Sequence, residues 1–332
     1  MRRFAPTRVL TSVGIVAAAL AIAWAMLGRF DPIPDPGPSR PAASYAEAIA
    51  RIDSIRAREG TGVNPVCHTR VVTNGARAAN VIVLLHGFTN CPKQFDSLAA
   101  DFARRGYNVY QPLLPRHGAP DRMSRELARL TADELTRAGR DAIDIARGLG
   151  DHVTVMGLSS SAIVTAWLAQ HRPDVDRAVL IAPSFAPRKM RPPVVRRMAN
   201  VLLRSPNFFV WWDGKAKADV GGPRQCYPRF ASHALAQVYR LGFTVLDDAA
   251  RSRPAAGRIV ILTTALDEGV NNDPAKDLAR RWRARGADVQ TYEFPESLGV
   301  RHDMIDPEQP YQRVSASYPV IERAATGAGD AR

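Results

Sequence analysis

The run Val153-Thr154-Val155-Met156-Gly157-Leu158-Ser159-Ser160-Ser161-Ala162 joins an apolar stretch of strand character to a helical pattern through three consecutive serines. A serine hydroxyl becomes a competent nucleophile only on a tight turn, exposed beside a general base and beside the free N–H groups that open the next helix. Such a turn demands small residues two positions before and two after the nucleophile, because strand and helix backbones crowd there. Ser159 is flanked by Gly157 and Ser161, Ser160 by Leu158 and Ala162, and Ser161 by Ser159 and Ile163. Only Ser159 combines small flanks with a strand directly before it. Ser161 stands where turns of this type usually carry Gly, a bulkier choice. The bland alternative for the segment is a serine-rich helix N-cap.

An activated serine needs a base, and the base needs a group to orient it; on a strand–turn–helix the chain order is Ser, then Asp or Glu, then His. The apolar run Arg258–Thr264 leads into Ala265-Leu266-Asp267-Glu268-Gly269-Val270, which puts Asp267 on a loop just past the end of a predicted strand. One histidine follows, His302, within Gly299-Val300-Arg301-His302-Asp303. A lone histidine is more often a surface residue, but order and spacing favour it here. Ser159 as nucleophile, Asp267 as acid and His302 as base form the candidate catalytic set, with Asp303 and Glu268 as fallback acids. Upstream, the run VIVLL ends in His86-Gly87-Phe88-Thr89. The backbone N–H groups of Phe88 and Ser160 are expected to face the oxygen that becomes negative during acyl transfer, a stabilisation of about 3–4 kcal/mol per donor. His86 precedes the nucleophile, the wrong order for the base, and is assigned to holding its own loop.

Positioning these groups requires a sheet. Strand signals near 69–73, 81–85, 107–111, 153–157, 177–182, 258–264 and 289–293 alternate with helical patterns, which implies an α/β chain with a mostly parallel sheet. The clearest helix starts at Thr131 with Glu134 three residues on, a capping box, and stripes Leu135, Ala138, Ala142, Ile145 and Leu149 along one face. About 75 residues separate the strand ending near Ala182 from the one starting near Arg258, too many for a plain crossover. An insertion over about 184–250 is therefore expected, with a basic helix (Lys189 to Arg204), a helix around Ser232 to Asp248, and an aromatic cluster in which Phe208, Phe209, Trp211 and Trp212 are candidates to line an acyl pocket or touch lipid. Ordinary core packing of that cluster is the alternative.

The amino terminus has a different character. Between Arg8 and Arg29 no residue is charged, and this length suffices to cross a hydrocarbon core of about 30 Å. Residues 1–29 thus read as a membrane anchor with the remainder exported, or as a signal peptide cut after Ala25. Residues 30–43 hold Pro32, Pro34, Pro36, Pro38 and Pro41 and read as an extended, semi-rigid linker. The folded domain should span 44–326, opening with a helix from Tyr45 to Arg58, and 327–332 form a tail. The composition, 46% hydrophobic and 23% charged over 332 residues, excludes a disordered or disulfide-stapled chain. The net charge of +13 comes from scattered Arg with no basic run or aromatic-interleaved basic motif, so no nucleic-acid partner is expected. Cys67, Cys91 and Cys226 lack metal-knuckle spacing. In an exported domain they suggest one disulfide and one free thiol; of three pairings, Cys67 with Cys91 is preferred because each adjoins a strand of one N-terminal unit. No motif for a metal or an organic cofactor is present, and none is expected.

The stretches VIVLLHGFTN, LLPRHGAP (113–120), GLSSSA, ALDEGV and GVRHDM together resemble the α/β-hydrolase superfamily over roughly Cys67 to Ile321, most closely its bacterial carboxylesterases and monoacylglycerol-lipase-like serine hydrolases. The resemblance implies the α/β-hydrolase fold with a helical cap for the insertion, the roles already given to Ser159, Asp267, His302, Phe88 and Ser160, and hydrolysis of a small-molecule ester or lipid through an acyl-enzyme. Other outcomes of the same triad are acyl transfer or cleavage of amide or carbon–carbon bonds; a non-catalytic exported binding module is the reading outside enzymes.

Overall fold

The computed structural model describes residue 24 and residues 26–219 and 221–327. In chain order, helix α1 (Tyr45–Glu59) precedes β1 (Arg70–Val72) and β2 (Ala78–Leu85); α2 (Asp96–Arg104), β3 (Asn108–Gln111), α3 (Ala132–Leu149), β4 (Gly150–Leu158), α4 (Ser160–His171) and β5 (Arg177–Ile181) follow. After α5 (Pro192–Arg204) and the strands β6 (Phe209–Trp211) and β7 (Arg229–Ala231) come α6 (Ser232–Arg251), β8 (Arg258–Thr264), α7 (Asp273–Ala284), β9 (Val289–Phe294) and α8 (Val314–Thr326).

Seven strands form one sheet in the order β1-β3-β2-β4-β5-β8-β9. All neighbours are parallel except the edge pair β1–β3. A parallel sheet is covered on both faces, which is why its central strands are continuously apolar. Successive side chains alternate between two cores: Val81, Val83, Leu85, Val153 and Val155 point into one, and Ile82, Leu84, Met156 and Leu158 into the other. At α3 the capping box forms as expected: Glu134 N–H donates to Thr131 Oγ1 and Thr131 N–H to Glu134 Oε2, both at 3.1 Å. A Cβ at Gly139 would stand 2.8 Å from Val164, so the crossing of α3 and α4 depends on that glycine.

The insertion differs from a purely helical cap. Its basic helix begins at Pro192, because prolines suit a first helical turn where no N–H partner is needed. The aromatic cluster forms half of an antiparallel hairpin, β6 on β7, as its Phe, Val and Trp residues favour. Helix α6 packs on α5 of the insertion as well as on α4 and α7, and it leads directly into β8.

The proline-rich segment is extended, as expected, but it is laid along the domain. Ser39 Oγ and the Arg40 N–H donate to Asp144 at 2.7 and 2.6 Å, Asn200 donates to the carbonyls of Leu27 and Arg29, and Arg240 to those of Asp31 and Pro32. Asp144 is buried and also takes a 2.7 Å bond from Arg172. Most of the uncharged stretch 9–28 lies outside the described residues, as does Ala25, the expected cleavage position; among the described residues no helix is long and apolar enough to cross a membrane. Cys67 and Cys91 form a disulfide with 5.2 Å between their Cα atoms, and Cys226 is free.

Asp144→Ala would leave Arg172 and the strap donors short of an acceptor. It is expected to cost about 3 kcal/mol, read as a lowered thermal midpoint by circular dichroism.

Candidate active site

Ser159 stands between β4 and α4 with φ 61° and ψ −112°, a conformation that non-glycine residues rarely hold. The surroundings hold it there: its N–H donates to Ile181 O at 2.8 Å, and its carbonyl accepts from Ser184 N–H at 3.1 Å. A Cβ on Gly157 would lie 2.5 Å from Ser161 O and Thr165 Oγ1, so strand and helix touch through the missing side chain. Ser161 fits where a glycine is usual because its hydroxyl has work on both sides. It donates to Leu85 O at 2.5 Å and accepts from Leu158 N–H at 2.9 Å, joining the turn to β2. The N-cap alternative fails on geometry, since the Ser159 side chain makes no capping bond.

Its hydroxyl instead donates to His302 Nε2 at 2.9 Å, and His302 Nδ1–H donates to Asp267 Oδ2 at 2.7 Å. The other oxygen of Asp267 accepts from the N–H groups of Gly269 and Val270 at 2.9 and 2.7 Å. Burial alone would raise the pKa of Asp267, but His302 and these two N–H groups outweigh it and hold the carboxyl below its ordinary range. Burial would likewise lower His302; Asp267, with a smaller contribution from Asp303, outweighs that and raises the imidazole above 6.5. The fallback acids point elsewhere: Glu268 is near Arg301, and Asp303 accepts from Gln94 and Gln309. Helix α8 steadies the histidine loop through Ser317 Oγ on Met304 O and Tyr318 Oη on Ile305 O, at 2.6 and 2.7 Å. Thr264 Oγ1, at the end of β8, donates to Val300 O at 2.5 Å and ties that loop to the one bearing Asp267.

His86 is buried and sits off this line. Its Nε2 accepts from Leu114 N–H and its Nδ1 donates to Gly87 O, both at 3.0 Å, so it holds the loop after β2. Burial, reinforced by His117, keeps it neutral far below 6.5. Phe88 and Ser160 border the same cavity as Ser159, and their N–H groups have no hydrogen-bond acceptor among the described residues.

That cavity measures about 460 Å³, with a mainly apolar wall that includes Phe88, Trp212, Tyr227, Phe230, Leu235 and Tyr239. Of the four aromatic candidates in the insertion, only Trp212 borders it. Phe209 and Trp211 sit under the Arg229 guanidinium, at 4.3 and 5.8 Å from ring centroid to charge centre, and Phe208 is half exposed. Strand alternation sends neighbouring residues to opposite faces, so a continuous aromatic run cannot line one pocket. Trp212 Nε1–H donates to Thr89 Oγ1 at 2.9 Å and Tyr227 N–H to Thr89 O at 2.8 Å, which docks the hairpin on the loop that bears Phe88. Tyr227, Phe230 and Tyr239 escaped the sequence reading, because their placement depends on the hairpin partner and on the face α6 presents.

Residues 82–317 match the profile of the alpha/beta hydrolase family. The chain belongs to that family. Over 94 residues it is 30% identical to the thermostable monoacylglycerol lipase of Bacillus sp. (strain H-257), covering 28% of this chain and 36% of that relative, so it spans little more than a third of the relative's length. The fold is shared with the monoacylglycerol lipase of Paleococcus ferrophilus at a TM-score of 0.59 and 16% identity, over 78% of this chain and 98% of that one. A structure described under the metagenome-derived lipolytic enzymes LipS and LipT matches at 0.56 and 20% identity, over 78% and 99%.

Two expectations follow for this alpha/beta hydrolase. Gly157→Ala should cost about 3 kcal/mol or more, as a methyl is forced onto backbone, and should lower the melting temperature. If His302 must be neutral to act, kcat/KM should fall as pH drops through its raised pKa, with the midpoint above 6.5; Asp267→Asn removes the raising partner while burial persists, so the limb should move to lower pH.

Proposed function

We propose that this chain is a serine hydrolase that cleaves carboxylic esters through an acyl-enzyme on Ser159. The observation that carries the reading is one imidazole in hydrogen-bond contact with both the Ser159 hydroxyl and the buried Asp267 carboxylate, at the wall of an apolar cavity. Ser159 Oγ attacks the ester carbonyl as its proton passes to His302 Nε2, and the oxyanion sits between the N–H groups of Phe88 and Ser160. Collapse releases the alcohol with that proton. Water, deprotonated by the same nitrogen, then attacks the acyl-enzyme and frees the acid and Ser159. Asp267 keeps the imidazole in the Nδ1–H tautomer and stabilises the imidazolium that forms twice per turnover.

The cavity's volume and apolar wall favour short to medium acyl chains, and the resemblance to proteins named as lipases supports an ester or lipid substrate. The disulfide supports a site of action outside the cytoplasm, in keeping with an exporting or anchoring role for residues 1–29. Purified protein should be labelled by a fluorophosphonate, with labelling abolished in Ser159→Ala. On a chain-length series of nitrophenyl esters kcat/KM should peak below the longest chains, and His302→Ala should fall by about 10⁴-fold or more. Equal activity of wild type and His302→Ala would defeat the assignment of the base; transfer to added alcohols in preference to water would replace hydrolysis by acyl transfer.

A further inference from the structure

We infer that Gln94 is a positioning residue for ester cleavage, its amide fastening the loop that bears the oxyanion donor to the loop that bears the base. The inference rests on the reading that Ser159 is acylated. Gln94 lies in the short 3-10 turn Pro92–Phe95 ahead of α2, buried at 3% exposure. Both ends of its amide are committed. Oε1 accepts from the Gly87 N–H at 2.7 Å, and Nε2 donates to Asp303 Oδ2 at 2.9 Å. Gly87 directly precedes Phe88, and Asp303, 209 positions beyond Gln94, directly follows His302, so one planar group joins two halves of the site that are distant in the chain.

The bond at Gly87 has a specific consequence. Of two successive N–H groups on the loop, Gln94 engages the first, and the second, that of Phe88, has no acceptor among the described residues and borders the cavity. The amide thereby sets which peptide N–H faces a reacting carbonyl. A Cβ on Gly87 would lie 3.3 Å from Gln94 Oε1, tighter than an ordinary contact, so the side chain reaches this N–H best over a glycine. At the other end Asp303 is held by a second amide, Gln309 Nε2 at 2.8 Å, and by the Asp306 N–H on Oδ1 at 3.3 Å, which fixes the carboxylate beside the base. The residue type is demanded by the task. A side-chain amide accepts at one atom and donates at another on the same rigid plane; Asn is one methylene short, Glu would repel Asp303, and Lys or Arg has no acceptor for Gly87. Nearby, Lys93 pairs with Glu308 across the same two loops, but the pair is more exposed and touches neither Gly87 nor Asp303.

The test measures kcat and KM on nitrophenyl butyrate, and the affinity of a trifluoromethyl ketone that adds to the serine, for Gln94→Met, Gln94→Asn and Lys93→Met in the full chain. Gln94→Met is expected to lower kcat about tenfold to a hundredfold with KM changed by less than about threefold, because a misplaced donor is felt in the transition state and not in ground-state binding. Ketone affinity should fall by a similar factor, since its adduct places an oxyanion on the same donors, and Lys93→Met should match wild type. Should Gln94→Met fail to fold, Gln94→Asn keeps an amide too short to span both partners and carries the same expectation. Unchanged kcat in a folded Gln94 variant, an effect confined to KM, or an equal loss in Lys93→Met would overturn the relay while leaving the hydrolase reading intact. A wild type that neither turns over esters nor reacts with a fluorophosphonate would overturn both.

Discussion

Everything in this site depends on keeping one imidazole neutral, oriented and in reach of a hydroxyl while a carboxylate is buried beside it. A buried carboxylate is costly unless each oxygen is satisfied. Asp267 meets that condition with His302, from the loop after β9, on one oxygen and two backbone N–H groups of the turn that follows β8 on the other. The turn therefore does two things: it offsets the desolvation of the charge and leaves one carboxylate oxygen for the histidine. Histidine orientation is a product of acid burial, and the raised imidazole pKa is its electrostatic signature.

The serine is held by an equivalent economy of space. Its backbone conformation is unfavourable in isolation, and it persists because Gly157 lets α4 lie directly on β4 while Ser161 bonds the turn to its neighbouring strand. Ser161 is accommodated at this position because its hydroxyl finds both an acceptor, Leu85 O, and a donor, Leu158 N–H. The loop after β2 is locked in turn by His86 from beneath, by the Cys67–Cys91 bond behind it and by the insertion hairpin above. Three separate parts of the chain thus converge on the few residues around Phe88.

The amino-terminal strap extends this organisation to the periphery. Asp144 gathers strap donors and Arg172 at one buried carboxylate, while Asn200 on α5 and Arg240 on α6 hold the carbonyls that precede it. The segment joining residues 1–29 to the domain is therefore part of its surface, and α5 of the insertion is fastened to the same strap. A proline-rich composition dictates an extended backbone without internal hydrogen bonds, and such a backbone leaves its carbonyls free to accept along a groove.

The sequence by itself determined the seven strands of the main sheet, their mostly parallel pairing, the best-capped helix and the positions of Ser159, Asp267 and His302 in chain order, because these depend on local periodicity, on turn sterics and on one fixed connectivity; the β6–β7 hairpin was not among them. The sequence also pointed to the Cys67–Cys91 pairing, since each cysteine adjoins a strand of one N-terminal unit. Tertiary structure alone decided which aromatics border the cavity: Phe208, Phe209 and Trp211 share a composition with Trp212, but strand alternation and the Arg229 partner turn Phe209 and Trp211 another way. It alone decided that the proline segment is a docked strap, that α6 packs on α4, α5 and α7, and that Gln94 joins two loops. Each of these depends on side chains far apart in the chain meeting in space, and neither composition nor local periodicity contains that distance.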